Sequence, residues 1–304
     1  MTGEPYSQLE STLKNPERRG LRKGLYLIPS AFTAANIGMG FYAVMAAVRG
    51  FQFIGTGSDH DLVHAASYLD NAAKAIGWAV LFDMLDGRIA RMTRTTTEIG
   101  VQLDSIADVV TFGLAPAVLA YVWGYGASLK EGSDLHQLAW FLSFMYLLCG
   151  AFRLARFNVQ ASRPRILAKG TIKVDKKSFV GLPIPVAGGL IAALIHFTPA
   201  PLIQYGPDRA QLYSLFLMLL MGFLSVLMVS TLRFSSFKTI GTRSRSMRTI
   251  ILALAVGMLI FLYSRYVLMA IVILYILQGL LSPVVGAFRK RGEVSESPVE
   301  AKQT

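Results

Sequence analysis

The chain has 304 residues, 53% of them hydrophobic and 16% charged, with a mean hydropathy of +0.48. That balance excludes a soluble domain of this size, because several apolar runs approach the ~20 residues that span a bilayer. The net charge of +12 comes without a soluble basic face interleaved with aromatics, which argues against nucleic acid as a partner, and the single cysteine, Cys149, excludes a disulfide framework or a CxxC site.

Residues 1–24 form a hydrophilic tail carrying Lys14, Arg18, Arg19, Arg22 and Lys23, with no apolar core of the kind a cleavable signal peptide needs. Apolar runs follow at about 25–48, 66–92, 101–124, 137–158, 180–204, 211–232, 248–264 and 266–288. Only Ser264 and Arg265 split the last two, which predicts a tight helical hairpin. Beyond Phe288 the chain turns polar, and 289–304 reads as a disordered tail. The expected architecture is an all-α polytopic membrane protein of about eight transmembrane helices, with a membrane domain over 25–232 and two additional helices over 233–288.

Charge placement tests this count independently. With the N-terminus cytoplasmic, 25 of the 30 Lys and Arg residues fall on the cytoplasmic side. Only Arg49, Lys130, Arg209 and Arg265 fall opposite, and Lys74 lies within the second span. The positive-inside rule gives this asymmetry for eight spans with both ends inside. The excess charge is thereby read as topology and attraction to anionic headgroups.

The same count puts four aspartates at the cytoplasmic ends of spans two and three. The stretch DMLDGRIARMTRTTTEIGVQLDSIAD carries Asp83 and Asp86 at i,i+3 and Asp104 and Asp108 at i,i+4. On helices, each pair shares a face with Cβ atoms about 5–6 Å apart. An aspartate at a membrane helix centre costs roughly 2.5–3.5 kcal/mol on insertion scales. Four converging carboxylates therefore call for cations, and carboxylate oxygens suit Mg²⁺, Mn²⁺ or Ca²⁺. The plainer alternative is helix capping, or pairing with Arg88, Arg91 and Arg94.

The pattern Asp83-x2-Asp86-Gly87-x2-Ala90-Arg91-x8-Gly100-x3-Asp104-x3-Asp108 resembles, position for position, the signature of the CDP-alcohol phosphatidyltransferase family. At an average usage of roughly 6% per residue type, a chance match at a given start is on the order of 10⁻¹⁰. The resemblance covers about 25–232 and implies a six-helix core, a membrane-embedded homodimer and a polar cavity open to the cytoplasm. It implies transfer of a phosphatidyl group from CDP-diacylglycerol to an alcohol, with release of CMP. Two divalent ions, Mg²⁺ or Mn²⁺, would lie between the aspartates and the diphosphate and clamp an in-line displacement. Asp83, Asp86 and Asp104 would be ligands, and Asp108 both ligand and general base. Gly87, Ala90 and Gly100 would let the nucleotide approach, and Arg91 would contact the diphosphate; close helix packing is the alternative for the three small residues.

The stretch IPSAFTAANIGMG resembles the family's first helix, although Ser30 stands after Pro29 where asparagine is usual. Thr33 and Asn36 share one face and are candidates to reach the cytidine, with interhelical hydrogen bonding as the alternative. RLARFN (Arg153–Asn158) and FVGLPIP (Phe179–Pro185) look like the phosphatidylserine synthase branch. Arg153 and Arg156, spaced i,i+3, suit bidentate capture of a carboxylate such as that of L-serine, with Asn158 beside them. Their other reading is positive-inside anchoring. Glycerol phosphate, an inositol compound or choline are alternative acceptors, and a cation transporter is the alternative class; such a transporter would favour repeated halves. His60, His64, Asp59 and Asp61 read as a solvated outer loop, and His136 and His196 as isolated interfacial residues. The expected setting is a bacterial-type inner membrane, with both termini and the active site cytoplasmic.

Overall fold

The computed structural model describes residues 16–93, 98–162, 178–235, 258–260 and 262–281. Helix α1 (Pro16–Ile54) reaches back into the basic tail, opened by proline, a residue suited to the first helical position. A short turn containing Gly57 leads to α2 (Asp59–Thr93). At ~1.5 Å per residue both helices exceed the ~30 Å hydrocarbon layer. Their shared face is built from small residues: Ala43, Ala46 and Ala47 on α1 and Ala65, Ala72 and Ala73 on α2 are all buried. In lipid, where burial alone drives little association, such residues let two backbones approach closely.

The third span, Ile99–Tyr125, is not one regular helix. Helix α3 (Glu98–Asp108) runs into a π-helical segment (Val109–Leu114), then α4 (Ala115–Ala120) and a second π segment (Tyr121–Tyr125). Pro116 explains the break, because it has no N–H to offer the Phe112 carbonyl four residues back. A carbonyl left unpaired in apolar surroundings is costly. The Tyr146 hydroxyl donates to Phe112 O at 3.0 Å and removes that cost. Ser214 does the same for Gly124 O at 3.2 Å. α1 rides directly on the first π segment: a Cβ at Gly40 would stand 2.9 Å from Thr111 Cα.

Helix α5 (Asp134–Ser162) is followed by the short strand β1 (Ser178–Val180), helix α6 (Ile184–Phe197), a 3-10 turn (Leu202–Tyr205) and helix α7 (Pro207–Val229). Strand β2 (Arg233–Ser235) pairs antiparallel with β1, so a small ribbon ties the start of α6 to the end of α7. The last described helix, α8, covers Leu262–Leu281 and runs through Ser264 and Arg265 without a break, so the turn of the expected hairpin does not fall at those two residues.

Among the described residues, five helices are long and apolar enough to cross a membrane: Ala31–Ile54, Ile99–Tyr125, Asp134–Val159, Pro207–Val229 and Leu262–Leu281. They coincide with the first, third, fourth, sixth and eighth expected runs. The second run lies on α2, which is long enough but carries Asp70, Lys74, Asp83, Asp86 and Arg88. The fifth is only the 14-residue α6, about 21 Å long. Pro183 and Pro185 start it and Pro199 and Pro201 stop it, since proline cannot sit in a helix interior without losing a bond. Most of the seventh run, residues 1–15 and the tail at 289–304 lie outside the described residues.

Gly181 sets how α6 begins. Its φ is +79°, and a Cβ there would meet Met228 O at 2.4 Å. Its N–H donates to Leu232 O at 2.9 Å, and the Leu182 N–H donates to Leu227 O at 3.1 Å. Left-handed backbone costs a non-glycine residue roughly 1–2 kcal/mol before any clash. Gly181→Ala is expected to destabilise the protein by about 3 kcal/mol or more. Thermal unfolding in detergent checks this; an unchanged midpoint would mean the α6–α7 junction is not held as described.

Candidate active site

α2 delivers Asp83 and Asp86 near its C-terminal end, and α3 delivers Asp104 and Asp108. One carboxylate oxygen from each of Asp83, Asp104 and Asp108 lies within 4.8 Å of the others. Asp108 is buried, and its Oδ1 has no hydrogen-bond partner. Two carboxylates at that spacing repel by about 3–4 kcal/mol at an effective dielectric constant of about 20. A cation among the oxygens would offset that repulsion. Three hard oxygen donors, one of them buried and unpartnered, fit a divalent ion of the Mg²⁺ or Mn²⁺ type.

Asp86 is not one of the three, but its charge acts on Asp104. It is buried and accepts a hydrogen bond from the Thr33 hydroxyl, so α1 orients it. Thr33, read from sequence as a nucleotide contact, therefore spends its hydroxyl on a carboxylate. Asn36 lies one turn further along α1. Its backbone carbonyl accepts from Thr111 Oγ1 at 3.0 Å, while its side-chain nitrogen and oxygen are both buried without a partner. Thr111 belongs to the π segment that begins right after Asp108, so the orphaned amide lies close to the carboxylates. Such a group in a dry setting points to something absent that it binds. Gly87 and Gly100 are half-buried on the two aspartate-bearing helices. Ala90 and Arg91 continue α2, with their side chains outside the described residues.

The two arginines separate. Arg153 is buried, its Nε has no hydrogen-bond partner, and the charges of Asp108 and Arg156 act on it. Arg156 donates from Nη1 to Val229 O at 3.2 Å, at the C-terminus of α7, where a cation complements the helix dipole. Asn158 donates to Ser105 Oγ at 2.8 Å and so fastens α5 to α3. An open groove lined by Ile106, Val109, Val110 and Leu154 runs beside the cluster between the third span and α5.

Some polar groups escaped the sequence reading. His196 is not an isolated interfacial residue: it is buried, with Nδ1 2.5 Å from Asp70 Oδ1, and Lys74 Nζ lies 2.7 Å from Asp70 Oδ2. The signal was present, since an ionisable residue inside an apolar run calls for a partner.

The sequence model described as CDP-alcohol phosphatidyltransferase matches residues 26–225. The chain is 30% identical over 257 residues to the CDP-diacylglycerol–serine O-phosphatidyltransferase of Helicobacter pylori (strain ATCC 700392 / 26695), covering 84% of this chain and 91% of that protein. It is 35% identical over 164 residues to the protein of the same name from Saccharomyces cerevisiae, covering 54% of this chain and 51% of the relative. For the Bacillus subtilis protein of that name the identity is 31% over 179 residues, with 58% and 82% covered. The chain belongs to the CDP-alcohol phosphatidyltransferase family. It is an integral membrane enzyme of phosphatidyl transfer in phospholipid synthesis.

Proposed function

We propose that the chain transfers the phosphatidyl group of CDP-diacylglycerol to the hydroxyl of L-serine, giving phosphatidylserine and CMP. The convergence of Asp83, Asp104 and Asp108, with a buried arginine whose charge acts on Asp108, carries this reading. The names of the relatives support the same donor and acceptor. The donor and acceptor together need a cation site for a diphosphate, a base for a hydroxyl and a cation for a carboxylate. All three chemistries are present on α2, α3 and α5.

Asp83, Asp104 and Asp108 would hold Mg²⁺ or Mn²⁺, with Asp86 as the fourth acidic group, oriented by Thr33. When bound, such ions offset the charge of the diphosphate and of the departing CMP. Asp108 takes the hydroxyl proton as the serine oxygen bonds to the phosphatidyl phosphorus and the bond from phosphorus to the CMP oxygen breaks. Its unpartnered oxygen is suited to that task. Asn36 offers its amide to the nucleotide, and Gly87, Ala90, Arg91 and Gly100 line the approach to the diphosphate. The apolar groove beside Val109 has the chemistry to accept an acyl chain. The charge asymmetry of the sequence supports both termini and the site on the cytoplasmic side of a bacterial-type inner membrane. A homodimer follows from the family resemblance.

Arg153 holds the serine carboxylate in this reading. Lysine keeps the charge but loses the planar fork. Losing a charge-assisted bidentate contact costs roughly 1.5–3 kcal/mol, or about tenfold to a hundredfold in affinity. Arg153→Lys is expected to raise the serine KM by that factor and to change the KM for CDP-diacylglycerol much less. Arg156→Lys should have the smaller effect, because Arg156 already caps α7. Steady-state kinetics with each substrate varied in turn checks this. If both constants rise together for Arg153→Lys, the arginine serves the diphosphate and the serine assignment loses its support.

A further inference from the structure

The π-helical segment Val109–Leu114 follows directly on Asp108, and α1, α5 and α6 all close on it. Its residues Thr111, Phe112 and Gly113 are buried. From α1, the Asn36 carbonyl accepts from Thr111 Oγ1 at 3.0 Å, and a Cβ at Gly40 would stand 2.9 Å from Thr111 Cα. From α5, the buried Tyr146 hydroxyl donates to Phe112 O at 3.0 Å. From α6, Gly188 approaches the same residue: a Cβ there would meet Phe112 O at 3.0 Å and Phe112 Cα at 3.1 Å. These close approaches are to backbone, so a shift of the segment has to displace a neighbouring helix.

The register of the segment matters because of what lies on either side of it. The Ala115 N–H donates to Val110 O, five residues back instead of four. A π turn therefore takes up one residue more than an α turn, and one residue is about 100° of helix rotation. Upstream, Asp104 and Asp108 converge with Asp83. Downstream, Ala115, Leu119 and Ala120 are fully buried in the core. A regular α-helix through 109–114 would keep only one of these two faces in place. Pro116 withholds the α-helical bond from Phe112 O, and Tyr146 supplies one from another helix.

We propose that the π segment sets the register of the carboxylate trio, with Tyr146 and Thr111 as positioning residues that keep Asp104 and Asp108 turned toward Asp83. This rests on the assignment of the trio to a divalent ion. It gives two hydroxyls outside the acidic motif a part in metal affinity, although neither belongs to the trio.

Binding of Mn²⁺ to the purified, substrate-free full chain in detergent, followed by electron paramagnetic resonance, tests it. Asp108→Asn marks the part of the signal that belongs to the trio. Tyr146→Phe keeps the ring and removes only the hydroxyl, and Thr111→Val does the same for a side chain of nearly the same shape. Each is expected to weaken Mn²⁺ binding roughly threefold to tenfold, the loss of one hydrogen bond. Ser214→Ala removes the matching bond to Gly124 O in the second π segment, at the far end of the same span. It should leave Mn²⁺ affinity within about twofold of the parent. An unchanged affinity in either hydroxyl variant overturns the role of that residue, and in both it overturns the proposal while the ion assignment stands. Equal weakening in Ser214→Ala overturns it as well, since any loosening of the span would then suffice. If the parent shows no Mn²⁺ binding that Asp108→Asn removes, the ion assignment falls and the register proposal with it.

Discussion

Asp108→Asn is expected to lower CMP release by at least about a thousandfold while leaving the protein folded. Asparagine keeps the shape of the side chain, so the packing of α3 against α1 and α5 is retained. It removes the carboxylate that would take the hydroxyl proton, and it takes one of three negative charges from the trio with Asp83 and Asp104. Two functions lost at one atom pair explain why the effect should exceed that of any other single substitution in the site. CMP release, measured alongside the size-exclusion profile of the variant, checks this. Turnover within a few-fold of the parent would place the base on another residue.

Chelation is the second large effect. Treating the purified enzyme with EDTA should bring turnover below detection, and adding back Mn²⁺ or Mg²⁺ should restore it. The reason is electrostatic: three carboxylates within 4.8 Å cannot also receive a diphosphate without positive charge between them. Full activity persisting after exhaustive chelation would leave the trio balanced by protons or side chains alone, and the divalent-ion assignment would fall. Ca²⁺ also takes oxygen ligands but tolerates looser geometry, so a titration of the three ions adds a ranking.

The acidic cluster was legible in the sequence because carboxylates inside apolar runs are expensive and stand out, and because helical spacing fixes which of them share a face. What spacing could not supply was the relation between helices. It listed Asp86 beside Asp83 without showing that a threonine from α1 donates to Asp86. It likewise treated Arg153 and Arg156 as a pair. Three residues leave two side chains about 60° apart and about 4.5 Å along the helix, and two long side chains with that offset find different partners: Arg156 reaches the end of α7, while the charge of Asp108 acts on Arg153.

Five spans among the described residues were readable from length and composition alone. The irregular third span was not, although Pro116 was visible; periodicity cannot tell whether a proline kinks a helix or re-forms it as π turns. The partner that makes the irregularity tolerable, Tyr146, lies on another helix. The β1–β2 ribbon was missed because six residues carry too little pattern to register.

The most direct measurement mixes the purified enzyme with CDP-diacylglycerol, Mn²⁺ and one acceptor at a time, following CMP and the mass of the lipid product. With L-serine the account predicts CMP and phosphatidylserine in equal amounts, and turnover well above that with glycerol phosphate, an inositol compound or choline. Preferential turnover of one of those alcohols would contradict serine as the acceptor.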